Sequence, residues 1–233
     1  MTDNAPLVRP SRFDEWLECY FAPYDNVASP WDRFPPDGEH HPSFRGTADE
    51  IAELFTYTMN TSGTELDRLS DSQVGVGLDN LLNTHFADVA HTVRDGTIAN
   101  EKRLAALQSL KVLYRDCLTR RATPALGHLN ERAACKPLNG ICYMLWDVTP
   151  LSYWPEPGRG AIMYPVIIAV METALHSENC AVVESGLHGL GHTVYKYEAA
   201  AVAVIDRFID ARRGHVRDEL ITYALQARTG MIQ

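Results

Sequence analysis

Long apolar runs are missing from this chain of 233 residues. Crossing a bilayer takes about 20 consecutive apolar residues, and the best candidate, Ile162 to Val170, is about half that and contains Pro165. Met1 to Pro10 lacks the basic segment and apolar stretch of a secretory leader. The expectation is a cytoplasmic protein without a membrane partner. Cysteine is sparse as well: Cys19, Cys117, Cys135, Cys142 and Cys180 are odd in number, scattered, and form no Cys-x-x-Cys pair. That spacing argues against a disulfide framework and against a zinc ribbon. Most of the five are expected to be small buried hydrophobes.

Catalytic signatures are also lacking. There is no Gly-x-Ser-x-Gly elbow, no phosphate loop and no Gly-x-Gly-x-x-Gly fingerprint. Bases are scarce in the first hundred residues, which hold 17 acids and 6 bases, against 13 and 15 in the remainder. The net charge of -9 therefore sits in the N-terminal half. Nucleic-acid binding needs Lys and Arg to neutralise phosphates, so this balance excludes nucleic acid as an expected partner. The basic stretch from Lys102 to Arg121 has its charges at helical spacing and is read as a solvated helix face.

What is present is a helical pattern. With 45% hydrophobic and 22% charged residues the chain can bury a core. Residues 1–46 form one unit: a short amphipathic helix around Phe13–Phe21, with Ser11 as its N-cap, then a strap rich in proline and aromatics. The strap includes Trp31, Phe34 and Phe44, whose rings are expected to plug into the body, and His40-His41, expected to be exposed. Residues 47–233 form a single helical domain. Thr47 followed by Glu50 starts it with a capping-box signature. Ser62 to Ser72 is polar, loop or weak helix; further helices are expected over Val74–Val93, Glu101–Arg120 and Leu138–Val148. Trp154 to Gly160 reads as a loop. Four segments follow, at about 161–176, 180–192, 197–213 and 216–228, with breaks at Ser177–Asn179, near Val194 and at Gly214.

Those last segments recur every 18 residues or so, close to half the HEAT or armadillo period. Val182-Val-Glu-Ser-Gly-Leu-His-Gly-Leu-Gly191 resembles a HEAT first helix, and Ala199-Ala-Ala-Val-Ala-Val-Ile-Asp-Arg-Phe-Ile209 resembles its partner. The fold class expected is thus all-α, an irregular array of antiparallel helix pairs, a HEAT-like α-α superhelix from about residue 161. The resemblance implies a binding scaffold.

One constellation carries chemistry. Glu184, His188 and His192 follow each other at four-residue steps, so on a continuous helix they share a face and can converge on one metal ion. Imidazole with carboxylate suits zinc or iron. Val183, Leu187, Leu190 and Val194 make the core stripe, so the two histidines are predicted to look outward or into a groove. Gly191 is a candidate helix terminator, which would take His192 off the stripe; Gly186 and Gly189 are explained by close packing on a neighbouring helix. His85, Asp88 and His91, stepping by threes, form a weaker set.

The leading expectation is a non-enzymatic scaffold or inhibitor without a cofactor. It recognises a basic protein through an acidic helical groove containing Glu184, His188 and His192, in one version as a toxin-neutralising immunity protein. The alternative is a metal-dependent enzyme or metal-binding protein built on the same three residues, with an Asp or Glu from another helix completing the sphere. A third reading is a homo-oligomer joined through the C-terminal helices and the Trp154 loop.

Overall fold

A computed structural model describes residues 7–22, 43–85 and 87–232. The proline-rich strap from Pro23 to Pro42, with Trp31, Phe34 and His40-His41, lies outside the described residues, as does Phe86. The fold is all-α, with no strand among the described residues. In chain order the helices are α1 (Phe13–Tyr20), α2 (Ala48–Asn60), α3 (Asp71–Leu82), α4 (Val89–Arg94) and α5 (Asn100–Val112). α5 continues through a π-helical turn (Leu113–Leu118) into α6 (Thr119–Arg121). Then follow α7 (Pro137–Val148), α8 (Pro157–Leu175), α9 (Cys180–Arg212) and α10 (Asp218–Arg228).

Local chemistry explains several of the starts. The Thr47 hydroxyl accepts the Glu50 amide at 3.2 Å and opens α2. Ser70 and Gln73 make a reciprocal capping box that opens α3 inside the polar stretch that sequence left undecided. Arg12, not Ser11, occupies the N-cap of α1, and no side chain caps it. The expected helix over Val74–Val93 is two helices, broken at Asn83 to Asp88. Pro157-Gly-Arg-Gly160 is not loop but the first turn of α8, with proline where the missing N–H costs nothing. Pro165 does not interrupt that helix. It lies on the exposed face one turn after exposed Ala161, so the carbonyl it frees faces solvent. Gly158–Leu175 of α8 is therefore long and apolar enough for a membrane span by composition, yet half of it is buried within this fold.

α9 is the axis of the C-terminal half. It packs against α8, α10 and α7 together, and every residue from Ala181 to Gly191 is buried. Three glycines let the neighbours approach on three sides. A Cβ on Gly186 would sit 2.7 Å from the Met171 carbonyl oxygen of α8. On Gly189 it would sit 2.4 Å from the Trp146 ring of α7, and on Gly191 2.7 Å from Ile232 beyond α10. Gly191 does not end the helix. The break expected near Val194 falls at Tyr197 (φ -140°, ψ 56°), where non-helical backbone kinks α9 into two helical segments.

The N-terminal helix docks through aromatic rings. Trp16 donates from Nε1 to Thr58 Oγ1 at 3.0 Å and meets Tyr20 and Phe44 edge-on, at 4.7 and 5.4 Å between centroids. Phe44, the one described strap aromatic, is buried. Trp154, read as part of an interface between copies of the chain, is buried within its own fold, its Nε1 donating to the Leu151 carbonyl at 2.8 Å.

The charge asymmetry has an internal counterpart. From the basic stretch, Lys102 pairs with Asp49 at 2.9 Å, Arg120 with Asp67 at 3.2 Å and Arg121 with Asp71 at 2.8 Å. Such exposed pairs contribute about 0–1 kcal/mol each. Arg121 does more, because its guanidinium also donates to the Leu66 and Leu69 carbonyls and orders the turns between α2 and α3.

Candidate metal centre

The four-residue ladder on α9 is intact as helix but divided in use. His188 and His192 come together with a residue the spacing did not reveal, Asp147 of α7. His188 Nε2 is 2.7 Å from Asp147 Oδ2 and 3.0 Å from His192 Nε2, while His192 Nε2 contacts Asp147 Oδ1. Ligand atoms of the three lie within 4.8 Å of one another, the one such set of three among the described residues. His85, Asp88 and His91 are not gathered: His85 bonds to Asn83 in the break before α4.

Burial within the set is graded. His188 is fully buried, whereas the side chains of Asp147 and His192 are 23% and 41% exposed. Of the two histidines expected to look outward or into a groove, His192 reaches the surface and His188 does not. A helix surrounded by three others has no solvent side over its buried length, so the wheel separates neighbours rather than core from surface. Partial burial would raise the Asp147 carboxyl, but its hydrogen bonding with His188 and His192 outweighs that and holds the group below the usual carboxylate range.

The second nitrogen of His188 is held as well. Nδ1 is 2.5 Å from the Tyr223 hydroxyl on α10, and Tyr223 in turn hydrogen-bonds Tyr143 of α7. The Tyr143 ring meets the His188 ring edge-on at 4.8 Å. Burial pushes both phenols up, so they are neutral hydroxyls at physiological pH.

Glu184 does not join this cluster. One turn earlier on α9, and fully buried, its carboxylate accepts the Gly127 amide at 2.7 Å and the His128 amide at 3.0 Å, and contacts His128 Nδ1. Successive backbone N–H groups wrapped on a carboxylate form an anion nest, here filled from within the chain. Gly127 is glycine because a Cβ there would fall 2.6 Å from the Tyr143 ring. Glu131 closes the loop, accepting the Leu126 amide and pairing with Arg217 at 2.7 Å. The His128 ring then stacks on Tyr223, 4.4 Å between centroids at 20°.

Beneath the cluster lies a second buried polar network. Trp146 Nε1 donates to the Tyr114 hydroxyl at 2.9 Å, Tyr114 bonds Ser185 at 2.7 Å, and Ser185 donates to the Cys142 carbonyl. Tyr114 belongs to the π-helical turn. These bonds fix α7 against α9 directly below the level of Asp147 and His188.

Chemically, the arrangement offers two imidazole nitrogens and a carboxylate converging from two helices, with one side open to solvent. Compared with protein-family models, with curated proteins and with solved structures, the chain matches none.

Proposed function

We propose that this is a metal-dependent protein that holds one divalent transition ion, zinc or iron, between α7 and α9 through Asp147, His188 and His192. The observation that carries the reading is the approach of both Nε2 atoms to the same carboxylate and to each other. A ring nitrogen has one proton or one lone pair. Protons on both nitrogens could each go to a different Asp147 oxygen, but that would leave the two Nε2 atoms facing each other at 3.0 Å with no bond between them. An ion at the common centre satisfies all three donors. Tetrahedral bonds of roughly 2.0–2.1 Å would set ligand atoms about 3.3 Å apart; the two nitrogens are 3.0 Å apart and His188 Nε2 is 2.7 Å from Asp147, so Asp147 would have to draw back from the histidines to admit the ion.

Three protein ligands leave at least one coordination position free, the feature that separates catalytic from structural sites. The half-exposed rims, His192 and Asp147, put that position at the surface. A bound ion would supply Lewis-acid activation of water or substrate there. The residues of the chain set the ligand geometry and exclude water from the His188 side.

The test is metal content of the untagged protein, purified without chelators, beside His188→Ala and Asp147→Asn. Close to one zinc or iron per chain, lost in both variants, supports the reading. Metal-free wild-type protein that also takes up no added zinc or iron sinks it, and returns the search to a scaffold binding a basic protein.

A further inference from the structure

Resting on that reading, we infer that Tyr223, His128 and Glu184 are positioning residues for the metal, a brace that fixes the tautomer and ring angle of His188. The chain of contacts is continuous. His188 Nδ1 meets the Tyr223 hydroxyl at 2.5 Å; the Tyr223 ring lies against the His128 ring at 4.4 Å; His128 Nδ1 meets the Glu184 carboxylate. Glu184 stands four residues before His188 on the same helix. The brace therefore leaves α9 at His188, crosses α10 and the loop after Ala125, and returns to α9 one turn earlier.

The proton arrangement follows from counting. A phenol has one proton to donate and can accept one from another group. If Tyr223 donates to Tyr143 and accepts from Nδ1–H of His188, the imidazole is held as the tautomer whose Nε2 lone pair is free for a metal. The reverse polarity would place the proton on Nε2, where it would block the site. Partners of this kind on the far nitrogen raise ligand basicity and hold the ring, and their loss typically lowers metal affinity 10–100-fold. His128 adds no bond to the metal ligands. Its contribution is a flat surface that stops the Tyr223 ring from swinging, with its own rotation stopped by Glu184, itself pinned by the amides of Gly127 and His128.

This gives the four-residue ladder a single purpose. His188 and His192 are ligands, and Glu184 anchors the brace. The repeat of three ligating residue types on one helix face is then no accident of composition, although one of the three holds no metal.

The experiment uses Co²⁺ as the probe, because its visible bands report coordination geometry. Dissociation constants and saturated spectra are compared for wild type, Tyr223→Phe, His128→Ala and Tyr143→Phe. Tyr223→Phe is expected to weaken Co²⁺ by roughly 10–100-fold and to shift the bands at saturation, which a mere loss of stability would not do. His128→Ala should weaken binding in the same direction by a smaller factor. Tyr143→Phe, which keeps every ring in place, should give a small weakening and serves as the decisive variant if Tyr223→Phe does not fold. Unchanged affinity and spectrum in Tyr223→Phe, or in Tyr143→Phe where that variant must serve, overturn the brace. Wild-type affinity in His128→Ala removes its outer half. Wild-type protein that binds no Co²⁺ overturns the metal reading beneath it, a separate outcome.

Discussion

Replacing Glu184 by Gln distinguishes a buried clamp from a metal ligand by the sign of its effect on the metal-free protein. As a clamp, the carboxylate accepts two backbone amides and contacts His128 with no solvent to replace it. Glutamine offers one acceptor oxygen, and its NH₂ would point at the other amide. One N–H group left without a partner costs about 1–3 kcal/mol, and losing a charge-assisted bond to the ring adds about 1.5–3 kcal/mol. The expected loss is about 2.5–6 kcal/mol, the sum of the two. That is a large part of a total stability on the order of 5–15 kcal/mol. A ligand carboxylate behaves oppositely, since neutralising it in the absence of metal removes repulsion from Asp147 and leaves stability level or higher. Urea unfolding in chelator, with slopes checked for equality between wild type and variant, reads the difference. A variant within about 0.5 kcal/mol of wild type, or more stable than it, refutes the clamp.

Two further changes probe the packing around the site. Gly75→Ala should lower stability by at least 1–3 kcal/mol, about 2–12 °C in melting temperature. Its Cβ would lie 2.3 Å from the Leu138 amide nitrogen, a backbone atom that cannot rotate away. An unchanged melting temperature would contradict the close contact of α3 with α7. Tyr114→Phe leaves the Trp146 indole N–H without its acceptor, at about 1–3 kcal/mol, and removes one of the two bonds of Ser185, which keeps the one to the Cys142 carbonyl. It should also shift the tryptophan emission, and wild-type stability with wild-type emission would count against the buried network.

Much of the helical framework was legible because caps and periodicity are local. Thr47 with Glu50, and the apolar steps that continue to Val148, mark helices that the structure contains. The misreadings have local reasons too. Pro157 and Gly158 look like a turn until one asks where proline is tolerated, which is the first turn of a helix. Gly191 looks like a terminator because glycine is common there, but glycine also suits a position where a neighbour fills the space of a Cβ, as Ile232 does 2.7 Å from where that atom would lie, and only tertiary structure separates the two cases. The π-helical turn at Leu113–Leu118 left no sequence mark, since one extra residue per turn shifts the apolar phase without interrupting it.

The site was half legible for the same kind of reason. His188 and His192 were found because helical spacing is a property of one segment. Asp147 lies 41 residues before His188, and nothing local relates the two. A signal was there all the same: Asp147 is the sole charged residue between Pro137 and Val148, and an ionisable group in so apolar a helix needs a partner. Spacing puts Glu184 on the same helix face, but spacing cannot tell which of several neighbours a buried carboxylate will meet. On a helix packed on three sides, each step of four residues rises about 6 Å. That suffices to pass from the level of Asp147 to the level of the Gly127 and His128 amides. A shared helix face is therefore evidence for a shared ligand only when the facing elements offer one ligand at that height, and here they offer two different environments.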